Sequence, residues 1–379
     1  MAINKGLEAS TDKLKNGMTM LKNYFKIALR NLQRQKIFSF INITGLAIGM
    51  ACAILILLWV KDELSYDRFH QNSDRIYRIV SEWKEPALKS ARTPGKLAPA
   101  IEAHIPEVAY ITRIMPGTKS AFRRGERAFF EENIAYVDPA FFEIFSFDLQ
   151  EGKKSKLLED PGTVVITEKI GKKYFENKEP IGKTIKWNNW VDFAITGVLQ
   201  DFPANSHLQY DFFRSHTGVK KAWPGGYTWQ NFIHETYVLL QENADANAVG
   251  QKITELYFRN APYMSAYVEK FSLQPLTDIY LNAEIEGSRA ILGNISYVYI
   301  FSIVAEFVLL IACIYFMNLS TARSIKREQE VALRRVIGAR RVQLIAQFLG
   351  ESVFLAVLAI VVALLLVEML LPFFNQLAG

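Results

Sequence analysis

From Arg323 to Glu351 the chain reads RSIKREQEVALRRVIGARRVQLIAQFLGE, a basic stretch between two long apolar runs. A segment placed so is a loop leaving a membrane and returning to it. Arg323, Lys326, Arg327, Arg334, Arg335, Arg340 and Arg341 face only Glu328, Glu330 and Glu351. The apolar residues Leu333, Val336 and Ile337, then Leu344, Ile345, Phe348 and Leu349, recur at helical spacing, and Gly338 interrupts them. Two short helices meeting at a turn are expected. Such a basic, amphipathic pair has two uses: to lie on anionic lipid, or to dock into a partner on the cytoplasmic side.

Working outward, Gly293–Ala322 is apolar with one charge, Glu306, and Phe348–Leu371 carries only Glu351 and Glu368 near its ends. A third run, Ile37–Val60, holds no charge and is long enough to cross about 30 Å of hydrocarbon. Gly45 and Gly49 within it form a GxxxG pair extended by Ala53, a face on which helices approach closely. Glu306 is the anomaly: a mid-span carboxylate costs about 2.5–3.5 kcal/mol on insertion scales, so it faces other helices or is protonated. The fold class that follows is an α-helical membrane protein with three transmembrane helices and a large mixed α/β extracytoplasmic domain.

Charge orients it. Residues 1–60 carry eight Lys/Arg against two acids, residues 293–379 seven against five, and residues 61–292 twenty-nine against thirty-one. The basic excess hugs the spans, which is the positive-inside pattern. A nucleic-acid binder would carry a basic stripe on its folded domain instead. The N-terminus and the basic loop are therefore expected inside, the middle of the chain outside. By segment, 1–19 reads as a disordered extension, 20–36 as an amphipathic interfacial helix, 37–60 as the first span and 61–292 as the outer domain, with an inserted lobe at 138–232. Then come the second span at 293–318, the loop at 319–347, the third span at 348–372 and a truncated end at 373–379. Cys52 and Cys313 both fall in apolar runs, so no disulfide supports the outer domain.

The outer domain alternates short strands and helices. Arg75–Ser81, Glu107–Ile114, Ala128–Val137, Thr163–Thr167, Val191–Leu199, His234–Gln241 and Lys270–Gln274 read as strands. Leu97–His104, Pro139–Phe145, Glu168–Phe175 and Ala246–Asn260 read as helices, the first with Thr93 as its cap and Pro94 at its first position.

The run Glu330-Val-Ala-Leu-Arg-Arg-Val-Ile-Gly-Ala-Arg-Arg and the following Gln347-Phe-Leu-Gly-Glu-Ser resemble the cytoplasmic loop of FtsX/MacB-type ABC transporter permeases. Thr93-Pro-Gly-Lys-Leu-Ala-Pro-Ala, Pro180-Ile-Gly-Lys-Thr-Ile, Gly197-Val-Leu-Gln-Asp-Phe-Pro-Ala-Asn-Ser-His-Leu and Gln274-Pro-Leu-Thr-Asp-Ile-Tyr-Leu resemble, in that order, the MacB-like periplasmic core domain. The resemblance implies a bacterial inner-membrane permease whose loop is gripped by a separate cytoplasmic ABC ATPase, with Arg327, Glu330, Arg334, Arg335, Gly338, Arg340 and Arg341 in contact. It implies that ATP and Mg are bound by that partner and that this chain holds no cofactor or metal. It also implies a second permease half or copy, contact with membrane lipid, a periplasmic adaptor as a further partner, and no nucleic acid. ATPase closure would then move the outer domain, a mechanotransmission serving export. Members of the family have at least a fourth span, so a truncated C-terminus is expected. No family role transfers to Glu306.

Other chemistry finds little support. Gly182-Lys183-Thr184 looks like the end of a phosphate-binding loop, but Asn177 stands where that loop needs a glycine, so a turn before a strand at Thr184–Trp187 is the better reading. The histidines at 70, 104, 207, 216 and 234 show no metal-ligand spacing, and no serine lies in a nucleophile elbow. An extracytoplasmic hydrolase and a membrane-anchored ligand sensor remain as rival readings.

Overall fold

The computed structural model describes residue 30 and residues 36–378, apart from 177–178, 283, 289–290, 327–331, 334–335 and 338–340. The readings for 1–19, for most of 20–36 and for much of the basic loop therefore lie outside the described residues. The chain divides into two compact units, one of residues 1–61 and 296–379, the other of residues 62–295. Helices of eight residues or more among the described residues are α1 (Lys36–Glu63), α2 (Leu97–His104), α3 (Glu168–Phe175), α4 (Ala246–Asn260), α5 (Ile295–Lys326) and α6 (Arg341–Ala378).

In the first unit, α1, α5 and α6 are each long and apolar enough to cross a membrane. Their seam is built from small residues: Ala47 and Ala51 of α1, Ala312 of α5, and Ala359 and Ala363 of α6 are all buried. Apolar side chains gain nothing by leaving lipid for protein, so close backbone approach must supply the attraction. Gly45 and Gly49 sit on this seam. A Cβ at Gly45 would come 2.6 Å from Tyr315 Cε1, and one at Gly49 would collide with Ala312 Cβ. Ala53 is also buried, whereas Glu306 lies on an exposed face of α5. The helices run past the expected loop limits: α5 continues to Lys326 and α6 starts at Arg341.

In the second unit the strands are β1 (Ile76–Trp83), β2 (Leu88–Ser90), β3 (Arg92–Pro94), β4 (Val108–Pro116), β5 (Ser120–Arg124), β6 (Arg127–Glu131) and β7 (Ile134–Val137). They continue as β8 (Leu149–Gly152), β9 (Thr163–Thr167), β10 (Thr184–Trp187), β11 (Val191–Leu199), β12 (Phe212–Ser215), β13 (Phe232–Leu240) and β14 (Val268–Pro275). All join one sheet, ordered β14-β1-β13-β4-β7-β12-β9-β11-β10-β5-β6, with β2 paired to β1, β3 to β13 and β8 to β11. Pairs are antiparallel except β7 with β12 and β9 with β11.

Alternation along β13 shows how the core divides. Tyr237 and Leu239 enter a cluster with Phe141, Phe145 and Phe213, while Val238 and Leu240 face α2 and α4 on the other side of the sheet. A third cluster packs Ile170, Tyr174 and Phe175 of α3 on Phe122, Ile185, Phe193 and Ile195. It draws on Phe122 and Ile134, which precede residue 138.

Two local readings are corrected. Thr93 does not cap α2: its hydroxyl donates to the His234 carbonyl at 3.0 Å and meets Thr236 Oγ1 at 2.6 Å, so pairing with β13 wins and Lys96 precedes the helix. The single strand expected over Ala128–Val137 is two, β6 and β7, because the Asn133 carbonyl turns to accept from Asp211 and Phe212.

The seam generates a test. Gly49→Leu overpacks it and is expected to cost about 1–3 kcal/mol, seen as a lower thermal midpoint of the detergent-solubilised chain. Gly350→Ala on α6, where a Cβ meets nothing within 4 Å, is expected to leave the midpoint level or slightly raised.

Candidate functional site

Of the loop residues singled out from sequence, Arg327, Glu330, Arg334, Arg335, Gly338 and Arg340 lie outside the described residues. Arg341 opens α6 and is exposed. Between and beyond them the described apolar residues Leu333, Val336, Ile337 and Val342 are uncovered, at 64%, 87%, 78% and 76% exposed. Four large apolar side chains left bare beside a basic run form a surface that a partner or a bilayer would cover.

Within the second unit, a polar spine crosses the sheet. Asp67 follows α1 closely in the chain, is wholly buried, and holds a left-handed backbone with φ of 59°. Its carboxylate accepts from the His207 backbone N–H at 3.1 Å and lies 2.8 Å from His207 Nδ1. His207 Nε2 meets the Tyr237 hydroxyl at 3.0 Å, and that hydroxyl donates to Glu235 at 3.2 Å. Glu235 stands 3.7 Å from Arg78, whose guanidinium donates to Gln274 Oε1 at 2.7 and 3.2 Å and to Ser288 Oγ at 2.7 Å. Burial pushes the Tyr237 hydroxyl well above its ordinary range, so it stays a donor. The spine therefore runs from the segment after α1, through β13, β1 and β14, to the segment before α5.

Beside it lies a second buried cluster. Arg113 grips Asp138 with two N–H groups at 2.8 and 2.7 Å, donates to the Gly95 carbonyl at 2.8 Å, and also contacts the Tyr227 hydroxyl. Burial would raise the Asp138 pKa, but the Arg113 guanidinium outweighs it and holds the carboxyl below its usual range. His216 and His234 meet through their Nε2 atoms at 2.8 Å. Burial first, then His216 and Arg113, push His234 down to about 3. Gly95 is required here, since a Cβ would lie 2.9 Å from His234 Cε1 and 3.0 Å from Tyr227 Cδ2. His70 is buried among Phe69, Phe145 and Phe147 and accepts from the Ser146 N–H; burial lowers it to about 4.

The spine is not laid out for catalysis. Asp67 and His207 resemble a base with its orienter, but both side chains have no exposure and the far ring nitrogen is occupied by Tyr237. A base must reach the proton that it takes. No group of three metal-type ligands occurs among the described residues. Sequence reading missed the spine because its members are far apart in the chain. The quoted motifs contain two of its members, His207 and Gln274, but nothing in either motif pairs it with the other.

The family profile of the MacB-like periplasmic core domain matches residues 39–256, and that of the FtsX-like permease C-terminal matches residues 302–378. The macrolide export ATP-binding/permease protein MacB of Aggregatibacter actinomycetemcomitans is 23% identical over 268 residues, covering 68% of this chain and 38% of that protein. The ABC transporter permease YvrN of Bacillus subtilis (strain 168) is 22% identical over 353 residues, covering 88% of this chain and 83% of that one. The chain thus spans well under half of MacB but most of YvrN. Among solved structures, a domain of a putative permease protein from Porphyromonas gingivalis aligns at a TM-score of 0.48 and 22% identity, covering 58% of this chain and 96% of that one.

Two outcomes follow. Tyr237→Phe leaves His207 and Glu235 each short of a partner and is expected to cost about 1–3 kcal/mol in denaturant unfolding; Tyr110→Phe on the exposed face of β4 is expected to cost nothing measurable. His70 has a folded pKa of about 4 against an ordinary 6.5, so the unfolded chain takes the proton first. Stability is then complete above pH 6.5 and falls as pH drops towards 4, by on the order of 3 kcal/mol from this group. His70→Asn keeps an acceptor for Ser146 and is expected to flatten that part of the stability–pH curve.

Proposed function

The chain belongs to the ABC transporter permeases that carry a MacB-like periplasmic core domain and an FtsX-like C-terminal region, and from that premise we propose that it couples a separate cytoplasmic ATPase to movement of its outer domain. The observation that carries this reading is the bare apolar side chains of Leu333, Val336 and Ile337 between α5 and α6, and of Val342 at the start of α6, set in a basic run. An apolar helical ridge docks into a groove of a partner, and flanking arginines fix its register. Arg327, Glu330, Arg334, Arg335, Gly338, Arg340 and Arg341 are the proposed contacts, with ATP and Mg bound by the ATPase.

The outer domain supports the mechanical part. After α1 the chain enters the sheet on β1, and it leaves on β14 towards α5. These strands are antiparallel neighbours paired from Tyr77↔Pro275 to Trp83↔Val268. A shift of one spanning helix against the other would load this ladder, and the Arg78 link between Gln274 and Ser288 would carry the load into the core. On this reading the bacterial inner membrane holds α1, α5 and α6, residues 62–295 face the periplasm, and the cargo is exported. A second copy or half of the permease would cover the exposed face of α5 that bears Glu306.

The test separates docking from lipid anchoring. Arg334→Lys with Arg335→Lys keeps charge but loses the planar, bidentate guanidinium. Gly338→Val keeps charge but narrows the backbone conformations open to that position. Co-expressed with the cognate ATPase, both variants of the full permease are expected to insert normally and to lose at least tenfold in ATPase association or stimulation. Full association and stimulation in both would show that the loop only rests on lipid.

A further inference from the structure

Where β11, β10 and β5 run side by side, the sheet concentrates charge of one sign. Register sets Arg123 of β5 directly opposite Lys186 of β10, and Lys186 opposite Asp192 of β11. Like charges at opposed positions of an antiparallel pair destabilise it. The compensation within the chain is weak: Lys186 Nζ is 3.7 Å from Asp192, beyond hydrogen-bond distance, and the exposed side chain of Arg123 makes no hydrogen bond or ion pair among the described residues. Two turns bring more cations. The β5–β6 hairpin adds Arg124, and the turn before β10 adds Lys183. Gly125 and Gly182 hold these turns with φ of 55° and 74°, where a Cβ would meet open space, so backbone conformation rather than crowding calls for glycine.

The result is an open cleft of about 720 Å³ lined by these four cations, one carboxylate, and the neutral polar side chains of Thr184 and Asn189. None of its lining residues has an apolar side chain. General basicity does not explain it, since residues 61–292 carry thirty-one acids to twenty-nine bases. Nor is Gly182-Lys183-Thr184 a nucleotide loop, because it leads into strand β10 rather than a helix. The chemistry of the lining sets the ligand. Arg124 donates to the Tyr174 carbonyl at 3.0 Å and Lys183 to the Glu179 carbonyl, which leaves Arg123 as a planar fork and Lys186 as a point charge for a phosphate or carboxylate group carrying more than one negative charge. Thr184, Asn189 and Asp192 offer partners for hydroxyl groups. Trp190, next in the chain to Asn189, is 87% exposed. An acidic protein segment would want apolar anchor pockets at the centre of its contact, and this cleft has none.

We infer that the β5–β10–β11 cleft binds a multiply charged, hydroxyl-bearing anion of the phosphosugar class, either a free molecule or the headgroup of a glycolipid. The anion supplies the negative charge that the opposed Arg123 and Lys186 lack. The site is built from residues other than those of the loop proposed to meet the ATPase, and its test does not depend on that proposal.

The full chain in phosphatidylcholine nanodiscs is titrated calorimetrically with glucose bisphosphate, and in parallel co-floated with phosphatidylcholine vesicles containing lipid A. Wild type and Lys89→Gln, a control distant in sequence from the cleft, are expected to bind in at least one arm. Arg123→Gln with Lys186→Gln is expected to bind at least tenfold more weakly in that arm. Its thermal midpoint is expected to be no lower than wild type, since an opposed like-charge pair has been removed, so the loss is not unfolding. A response to the free sugar phosphate identifies a soluble ligand, and a response to the vesicles alone identifies a headgroup. Binding in neither arm, equal binding by the double variant, or retention of only an oligoglutamate peptide would overturn the assignment.

Discussion

Arg78 carries a guanidinium into a position with no solvent exposure, and the organisation of the outer domain follows from how that charge is held. A buried cation is tolerated only when its donors are met and an opposite charge is close. Here Gln274 of β14 takes two donors, Ser288 takes a third, and Glu235 of β13 supplies the charge at 3.7 Å. Those partners come from both sides of β1 and from the segment that leads to α5. Truncating any one would strand the rest, which ties entry and exit of the domain to a single arrangement. The continuation through Tyr237, His207 and Asp67 extends the same logic back to the segment after α1.

The membrane unit relies on the opposite device. With no hydrophobic gain between helices in lipid, cohesion comes from small residues that let backbones approach, and Gly45, Gly49, Ala312, Ala359 and Ala363 provide that contact. Large side chains point outwards, among them Ile300, Phe307 and Ile311 on α5. Asn42 departs from the pattern: it is fully buried, and its side-chain amide has no hydrogen-bond partner among the described residues.

Much of the fold could be read directly along the chain. The strand at Thr163–Thr167, the helices at Glu168–Phe175 and Ala246–Asn260, and the strand at Val191–Leu199 form where alternation and helical spacing place them. These elements are local: side-chain period and turn residues within one window suffice to specify them. Thr93 shows where local signals fail. Its Ser/Thr-before-helix pattern is real, yet its hydroxyl is drawn to His234 and Thr236, residues much later in the chain, and strand pairing overrides the cap. The split between β6 and β7 has the same origin, a backbone carbonyl recruited by Asp211 and Phe212.

The sequence by itself therefore determined the three apolar helices and the mixed α/β character, because hydropathy and side-chain period act over short windows and need no knowledge of neighbours. The tertiary structure alone decided which polar residues meet. Asp67, His207, Tyr237, Arg78 and Gln274 form a line only when β1, β13 and β14 lie side by side, and Arg123 opposes Lys186 only through the register of β5 on β10. Sheet order and register are set by packing between distant segments, so the polar spine and the cationic cleft have no local signature to read.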